Sequence, residues 1–215
     1  GTQNVYLKLD YSTLTKTTAD DKDFAEQEQI SREKKSQTVK AAHTSYSKKY
    51  GDKAFSLGAK ASTALTYKVD TKGSKVVSVD KYGKVTIKGV GTAKITVTAK
   101  ETDTYKKAVK TITVKVAKGT PTVTAKVTSK TLKYTSVKKS TQSFSLGAAV
   151  NSKGTLSYKK ISGTSAITVN SKTGKIYVKK GLNKGTYKVK LQIKAAARGY
   201  YNAGSKTVTV TVKVK

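Results

Sequence analysis

The chain has 215 residues, with 44 Lys plus Arg against 12 Asp plus Glu, a formal net charge of +32, and no cysteine, methionine or tryptophan. Absence of cysteine excludes disulfide staples, thiolate nucleophiles and cysteine-ligated zinc, and a single histidine, His43, leaves few groups for acid–base or metal chemistry. No run approaches the roughly 18 consecutive apolar residues of a membrane-spanning helix, so no membrane insertion is expected in this segment.

Residues 1–35 form a segment of their own, with six basic residues against seven acids. Val5, Leu7, Leu9 and Tyr11 alternate as a strand does. Asp20 to Lys35 reads as a polar linker helix behind a Thr17 or Thr18 cap, with acids early and bases late as the helix dipole prefers, and with Glu28 and Arg32 as an i,i+4 pair. Gly1 and the polar residues after it read as an engineered start, so a signal peptide or a wall or membrane anchor is expected outside this segment.

From residue 36 onward the sequence repeats itself. Phe55-Ser56-Leu57-Gly58-Ala59 returns as Phe144-Ser145-Leu146-Gly147-Ala148, at an offset of 89. Val77-Ser78-Val79-Asp80 returns as Ile167-Thr168-Val169-Asn170, Gly83-Lys84-Val85 as Gly174-Lys175-Ile176, and Gly91-Thr92 as Gly185-Thr186. Tyr105 and Thr111-Ile112-Thr113-Val114 match Tyr201 and Thr207-Val208-Thr209-Val210, where the offset has grown to 96. Insertions in surface loops account for the drift. The expected domains are 36–118 and 119–215. Pro121, the only proline, sits where they join and fixes one φ there, which implies a semi-rigid connection.

Apolar residues within each unit alternate with period two, as in strands with one wet face. Val85 and Ile87, Ile95 and Val97, and Ile112, Val114 and Val116 point inward in the first unit. Ile176 and Val178, Val189, Leu191 and Ile193, and Val208, Val210, Val212 and Val214 do so in the second. Gly83 and Gly174 supply the positive φ of short hairpins. Neither unit shows a helical period. Many short strands in units of about 90 residues predict an all-β fold of two tandem immunoglobulin-like β-sandwich domains behind the short N-terminal strand and helix.

Charge follows the same division. Residues 36–118 carry 18 lysines against five acids, Asp52, Asp70, Asp80, Glu101 and Asp103. Residues 119–215 carry 20 basic residues and no carboxylate side chain. Lysine alternates with threonine and valine along the strands, as at Lys84, Lys88, Lys94, Lys110 and Lys115, which suits a solvated face and discourages edge-to-edge aggregation. Only Arg32 and Arg198 are arginines, so the bidentate and stacking contacts of specific nucleic-acid recognition are not expected.

The string Val77-Ser78-Val79-Asp80 followed by Gly83-Lys84-Val85-Thr86-Ile87-Lys88-Gly89-Val90-Gly91-Thr92-Ala93-Lys94-Ile95-Thr96-Val97 resembles the bacterial immunoglobulin-like domains of group 2, modules repeated in bacterial surface proteins and adhesins. The resemblance spans Ser36 to Lys118 and is looser over Gly119 to Lys215, where Asn170 replaces the aspartate. It implies an extracellular, cell-surface or cell-wall location in a Gram-positive bacterium, a spacer or adhesive role, other domains of the same protein as partners, and no catalytic residues or cofactors. Missing oxidisable residues point to the same compartment.

Chemistry has few places to reside. A catalytic triad is conceivable only around His43, with Asp52 and Ser45 or Ser47, and the bland reading of His43 as a surface residue beside a strand is preferred. Gly89-Val90-Gly91 lacks the remaining elements of a dinucleotide or phosphate loop and reads as a turn. A Lys–Asn isopeptide crosslink needs a buried acid, which the second unit lacks and the first offers only in Asp70, Asp80, Glu101 or Asp103. Tyr200-Tyr201, and Tyr46 with Tyr50, are candidate sugar-stacking platforms, whereas the recurrence of Tyr67 as Tyr158 and of Tyr105 as Tyr201 favours packing. The function expected is a non-catalytic spacer or stalk, or alternatively an adhesive module holding teichoic acid, mucin or similar polyanions on lysine-rich faces. No catalytic, cofactor or metal residue is assigned, and no ligand-binding residue either.

Overall fold

The computed structural model describes residues 33–215. The expected N-terminal strand and residues 20–32 of the expected helix lie outside them. At Lys35 the chain is already extended: its N–H donates to Thr104 O at 2.7 Å and its carbonyl accepts from Lys106 N–H at 2.9 Å. Those bonds replace the i−4 bonds that a helix reaching Lys35 would require.

The first domain is a sandwich of two sheets. One contains β1 (Ser45–Lys49), β7 (Ala108–Ala117), β6 (Gly91–Ala99) and β3 (Leu65–Val69) in that order, and the other β2 (Phe55–Ser56), β5 (Lys84–Ile87) and β4 (Val77–Val79). Period-two alternation puts Ala93, Ile95 and Val97 of β6, and Ile112, Val114 and Val116 of β7, onto one buried face with Leu57, Val77 and Val85 opposite. Each of these Val, Leu and Ile side chains contributes about 1.5–3 kcal/mol by leaving water. Ile87, expected inside, is half-buried because it lies at the end of β5.

The second domain repeats the plan. β9 (Ser129–Leu132), β16 (Gly204–Val214), β15 (Gly185–Ala195) and β12 (Leu156–Ser162) form one sheet, and β10 (Gln142–Ser145), β14 (Lys175–Val178) and β13 (Ile167–Val169) another. A third pair, β8 (Val123–Ala125) with β11 (Ala148–Val150), corresponds to the single Lys40–Lys60 bridge of the first domain. Its core gathers Val137, Leu146, Ile176, Leu191, Ile193, Val210 and Val212. The repeated Phe-Ser-Leu-Gly-Ala string has one cause in both copies: Leu57 and Leu146 are fully buried, and Gly58 and Gly147 turn the chain at φ of 59° and 60°.

Gly83 and Gly174 adopt φ of 79° and 68° at matching hairpins. A Cβ there would lie 2.8 Å from the Tyr67 ring and 2.6 Å from the Tyr158 ring. Each glycine thus turns the chain and leaves room for a core tyrosine, which explains why Tyr67 and Tyr158 recur.

Two features depart from the sequence pattern. β1 pairs with β7 and β9 with β16 in parallel, since alternation is the same whichever way a neighbouring strand runs. A six-residue helix, α1 (Tyr134–Lys139), interrupts the second domain. It buries only Val137, so it leaves no apolar stripe to detect. Tertiary bonds hold it instead, from Tyr134 N–H to Lys215 O at 2.6 Å and from Gly181 N–H to Val137 O at 3.0 Å.

Candidate functional site at the domain joint and the lysine faces

The conceivable triad is not assembled. His43 is exposed and its ring meets Tyr46 edge-on at 5.4 Å, while an Asp52 carboxylate oxygen accepts the backbone N–H of Lys49 at 2.8 Å, closing a turn. Ser45 and Ser47 both lie on the solvent side of β1. Of the four acids considered for a crosslink, Asp103 is exposed and the other three are engaged otherwise. Asp70 accepts the Lys94 N–H, Asp80 accepts those of Tyr82 and Lys84, and Glu101 pairs with Lys34, which holds its carboxyl below the usual range. Among the described residues no group of three or more His, Asp or Glu side chains is placed to hold a metal ion. None of the described helices is long and apolar enough to cross a membrane.

Three of the tyrosines singled out as platforms, Tyr50, Tyr200 and Tyr201, meet at the joint between the domains. Gly119 N–H donates to Tyr200 O at 2.9 Å and Asn202 N–H donates to Gly119 O at 2.9 Å. This two-bond clamp repeats the one that Thr104 and Lys106 place on Lys35 at the start of the first domain. The residues of the clamp differ at three positions, Gly119 standing in the place of Lys35, Tyr200 in that of Thr104 and Asn202 in that of Lys106. The first two differences tighten the joint. A Cβ on Gly119 would lie 2.2 Å from Tyr50 O, so only glycine allows the end of the first domain to approach this closely.

Tyr50 then packs between the two rings of the second domain, 4.9 Å from Tyr200 and 5.2 Å from Tyr201, the latter edge-on at 87°. Such pairs are worth about 0.5–1.5 kcal/mol each beyond their burial. Tyr50 is fixed from its own side as well, by its N–H bond to Ala117 O at 2.9 Å. Tyr200 also covers Gly89, whose Cβ would lie 3.3 Å from the ring. Beside the rings is a cleft of about 240 Å³ lined in part by Lys49, Asp52, Thr122 and Asn151, with Asp52 its only carboxylate. Tyr46, by contrast, packs on Phe55 within the first domain and donates its hydroxyl to Leu57 O at 3.2 Å. The residue types of the joint were visible in sequence, but their meeting was not, because some 150 residues separate Tyr50 from Tyr200.

Lysines occupy the outer faces of both large sheets. In the first domain Lys68, Lys94 and Lys115 stand among Thr66, Thr92, Thr96, Thr111 and Thr113. In the second, Lys188, Lys190 and Lys194 line β15, with Lys159 on β12 and Lys213 on β16 to either side. Between them stand Ser, Thr and Gln: Gln192 faces Lys159 and Thr207, and Lys190 faces Ser162 and Thr209.

No protein-family model matches the chain, and no curated protein does. Among solved structures it is similar to human protocadherin-24 EC1-2, at 19% identity over 83% of this chain and 97% of that chain, with a TM-score of 0.39. It is similar to Drosophila N-cadherin EC1-4, at 12% identity over 83% of this chain and 50% of that one, TM-score 0.39. A third similar structure is that of Sidekick-1 immunoglobulin domains 1-4, at 15% identity over 82% and 48%, TM-score 0.31.

Proposed function

We propose that the chain is a non-catalytic spacer of a bacterial surface protein, its two modules, 36–118 and 119–215, being group 2 immunoglobulin-like domains exposed outside the cell. The group assignment rests on the Val77–Val97 string, and the Gram-positive wall location on that resemblance. The observation that carries the spacer reading is the joint at Gly119. A stalk has to pass orientation from one module to the next, and a clamp of two backbone bonds with an inserted tyrosine does so where a flexible linker does not. Distances measured between spin labels placed one on each domain test it: a single narrow distribution is expected, and a broad one refutes the spacer.

A second reading, adhesion to anionic wall polymers or host glycans, is favoured by the absence of any carboxylate side chain from residues 119–215. Retention on an immobilised polyanion at 0.15 M salt, where charges more than about 8 Å apart are screened, is expected from an adhesive and not from a spacer.

A further inference from the structure

We infer that the outer face of the β12–β15–β16 sheet is a docking surface for a flexible linear phosphodiester polymer of the poly(glycerol phosphate) kind; this rests on the adhesive reading. The cations stand in a row. Lys188 and Lys190 are two residues apart on β15, about 7 Å, and Lys194 lies two such steps beyond Lys190 with Gln192 between them. Lys159 lies across from Gln192 on the neighbouring strand, about 4.8 Å away, and Lys213 across from Thr186, one step before Lys188. Alternation exposes Lys188, Lys190 and Lys194 on one side while Val189, Leu191 and Ile193 are buried on the other, so the row is built into a rigid strand.

Nothing in its own domain neutralises the row, since residues 119–215 contain no Asp or Glu. The matching face of the first domain has fewer lysines, and the Asp70 carboxylate accepts a bond from the backbone of one of them, Lys94. Charge complementarity therefore favours the second domain.

The polymer class follows from spacing and from what the face lacks. Two residues of strand are six backbone bonds, and a phosphodiester of a three-carbon polyol, like a nucleic-acid strand, repeats its charge every six bonds, so successive phosphates of an extended phosphodiester fall at Lys188, Lys190 and, two repeats on, Lys194. Ser157, Ser162, Thr207 and Thr209 offer hydroxyl donors to the remaining phosphate oxygens. No aromatic side chain stands among the outward residues of these strands, so neither nucleobases nor pyranose rings find a stacking platform. Lysine, a point charge without arginine's fork, suits a freely rotating phosphate. At the Lys194 end the row runs into an open recess of about 540 Å³ that includes Thr155, Ser157, Gly204 and Ser205, where the polymer can continue past the sheet.

The test compares the full chain with two variants of equal charge: K188Q/K190Q/K194Q in the second domain and K68Q/K94Q/K115Q in the first. Each is titrated with poly(glycerol phosphate), heparin and poly(dT) from low salt to 0.15 M, with circular dichroism confirming that all three proteins are folded. Expected are tightest binding to poly(glycerol phosphate), a loss of about tenfold or more in the second-domain variant alone, and a salt slope reduced by about 2, as for three contacts at about 0.7 each. Equal losses in both variants overturn the assignment to this face. Heparin or poly(dT) binding as tightly as poly(glycerol phosphate) overturns the phosphodiester. Failure of all three polymers to bind at 0.15 M salt overturns the adhesive reading on which both stand.

Discussion

Replacing Gly119 with alanine places a methyl carbon 2.2 Å from Tyr50 O and 3.1 Å from the Tyr201 ring, where ordinary contact begins near 3.4 Å. Rotating a side chain cannot relieve the nearer contact, because that atom is backbone and its residue is held by the Tyr50 N–H bond to Ala117 O. A shift of more than an ångström is required, and it opens the clamp. The two backbone hydrogen bonds of Gly119 within the second domain are strained at about 0.5–1.5 kcal/mol each, and the two aromatic pairs that cross the joint, of similar size, put about 1–3 kcal/mol of docking at risk. A loss of about 2 kcal/mol raises the undocked fraction some 30-fold, at 1.4 kcal/mol per factor of ten. The chain has no cysteine, so Y82C and K172C, both at exposed hairpin positions, give unique spin-label sites on the two domains. Double electron–electron resonance should show one narrow distance distribution for this pair and a broad one once Gly119→Ala is added, with the melting of the first domain almost unchanged. An unchanged distribution width refutes the claim that the clamp and the tyrosines set the joint.

Leu57→Ala and Leu146→Ala remove fully buried side chains from separate cores; each should cost its own domain about 2–5 kcal/mol, and calorimetry should show one transition lowered and the other unmoved. Asp80→Asn should be tolerated within about 0.5 kcal/mol, because Asn170 accepts from Lys172 and Thr173 N–H in the matching turn, whereas Asp80→Ala, which orphans the Tyr82 and Lys84 N–H groups, should cost about 1–2 kcal/mol in urea unfolding. Burial raises the Tyr67 and Tyr158 hydroxyls above the ordinary phenol value of about 10, and the charge of Asp80 lifts Tyr67 further. Above that value the unfolded chain loses these protons before the folded one does. The stability they contribute is therefore complete below about pH 10 and lost as pH rises through the raised values. A double Tyr67→Phe, Tyr158→Phe variant should flatten that alkaline decline.

Much of the fold was legible because strand burial is written locally. A residue two positions from a buried valine faces the same way, so the inward sets on β6, β7, β15 and β16 followed from alternation alone, and the repeat showed that the plan occurs twice. The helix α1 was not legible, for its six residues bury one side chain and bonds to Lys215 and Gly181 hold it. Parallel pairing of β1 and β9 was hidden for the related reason that alternation carries no information about a neighbour's direction.

The candidate surfaces divide in the same way. Sequence by itself determined the charge balance, the lack of carboxylates after residue 118, the scarcity of groups for acid–base chemistry and the period that puts Lys188, Lys190 and Lys194 on one face, since these depend on composition and on the two-residue repeat of a strand. Only the tertiary structure brought Tyr50 between Tyr200 and Tyr201, and only it showed why residue 119 is glycine where the first domain has lysine. Those contacts join positions far apart in the chain, and what requires glycine is the nearness of another residue's carbonyl oxygen, a property of the packed joint that no local pattern encodes.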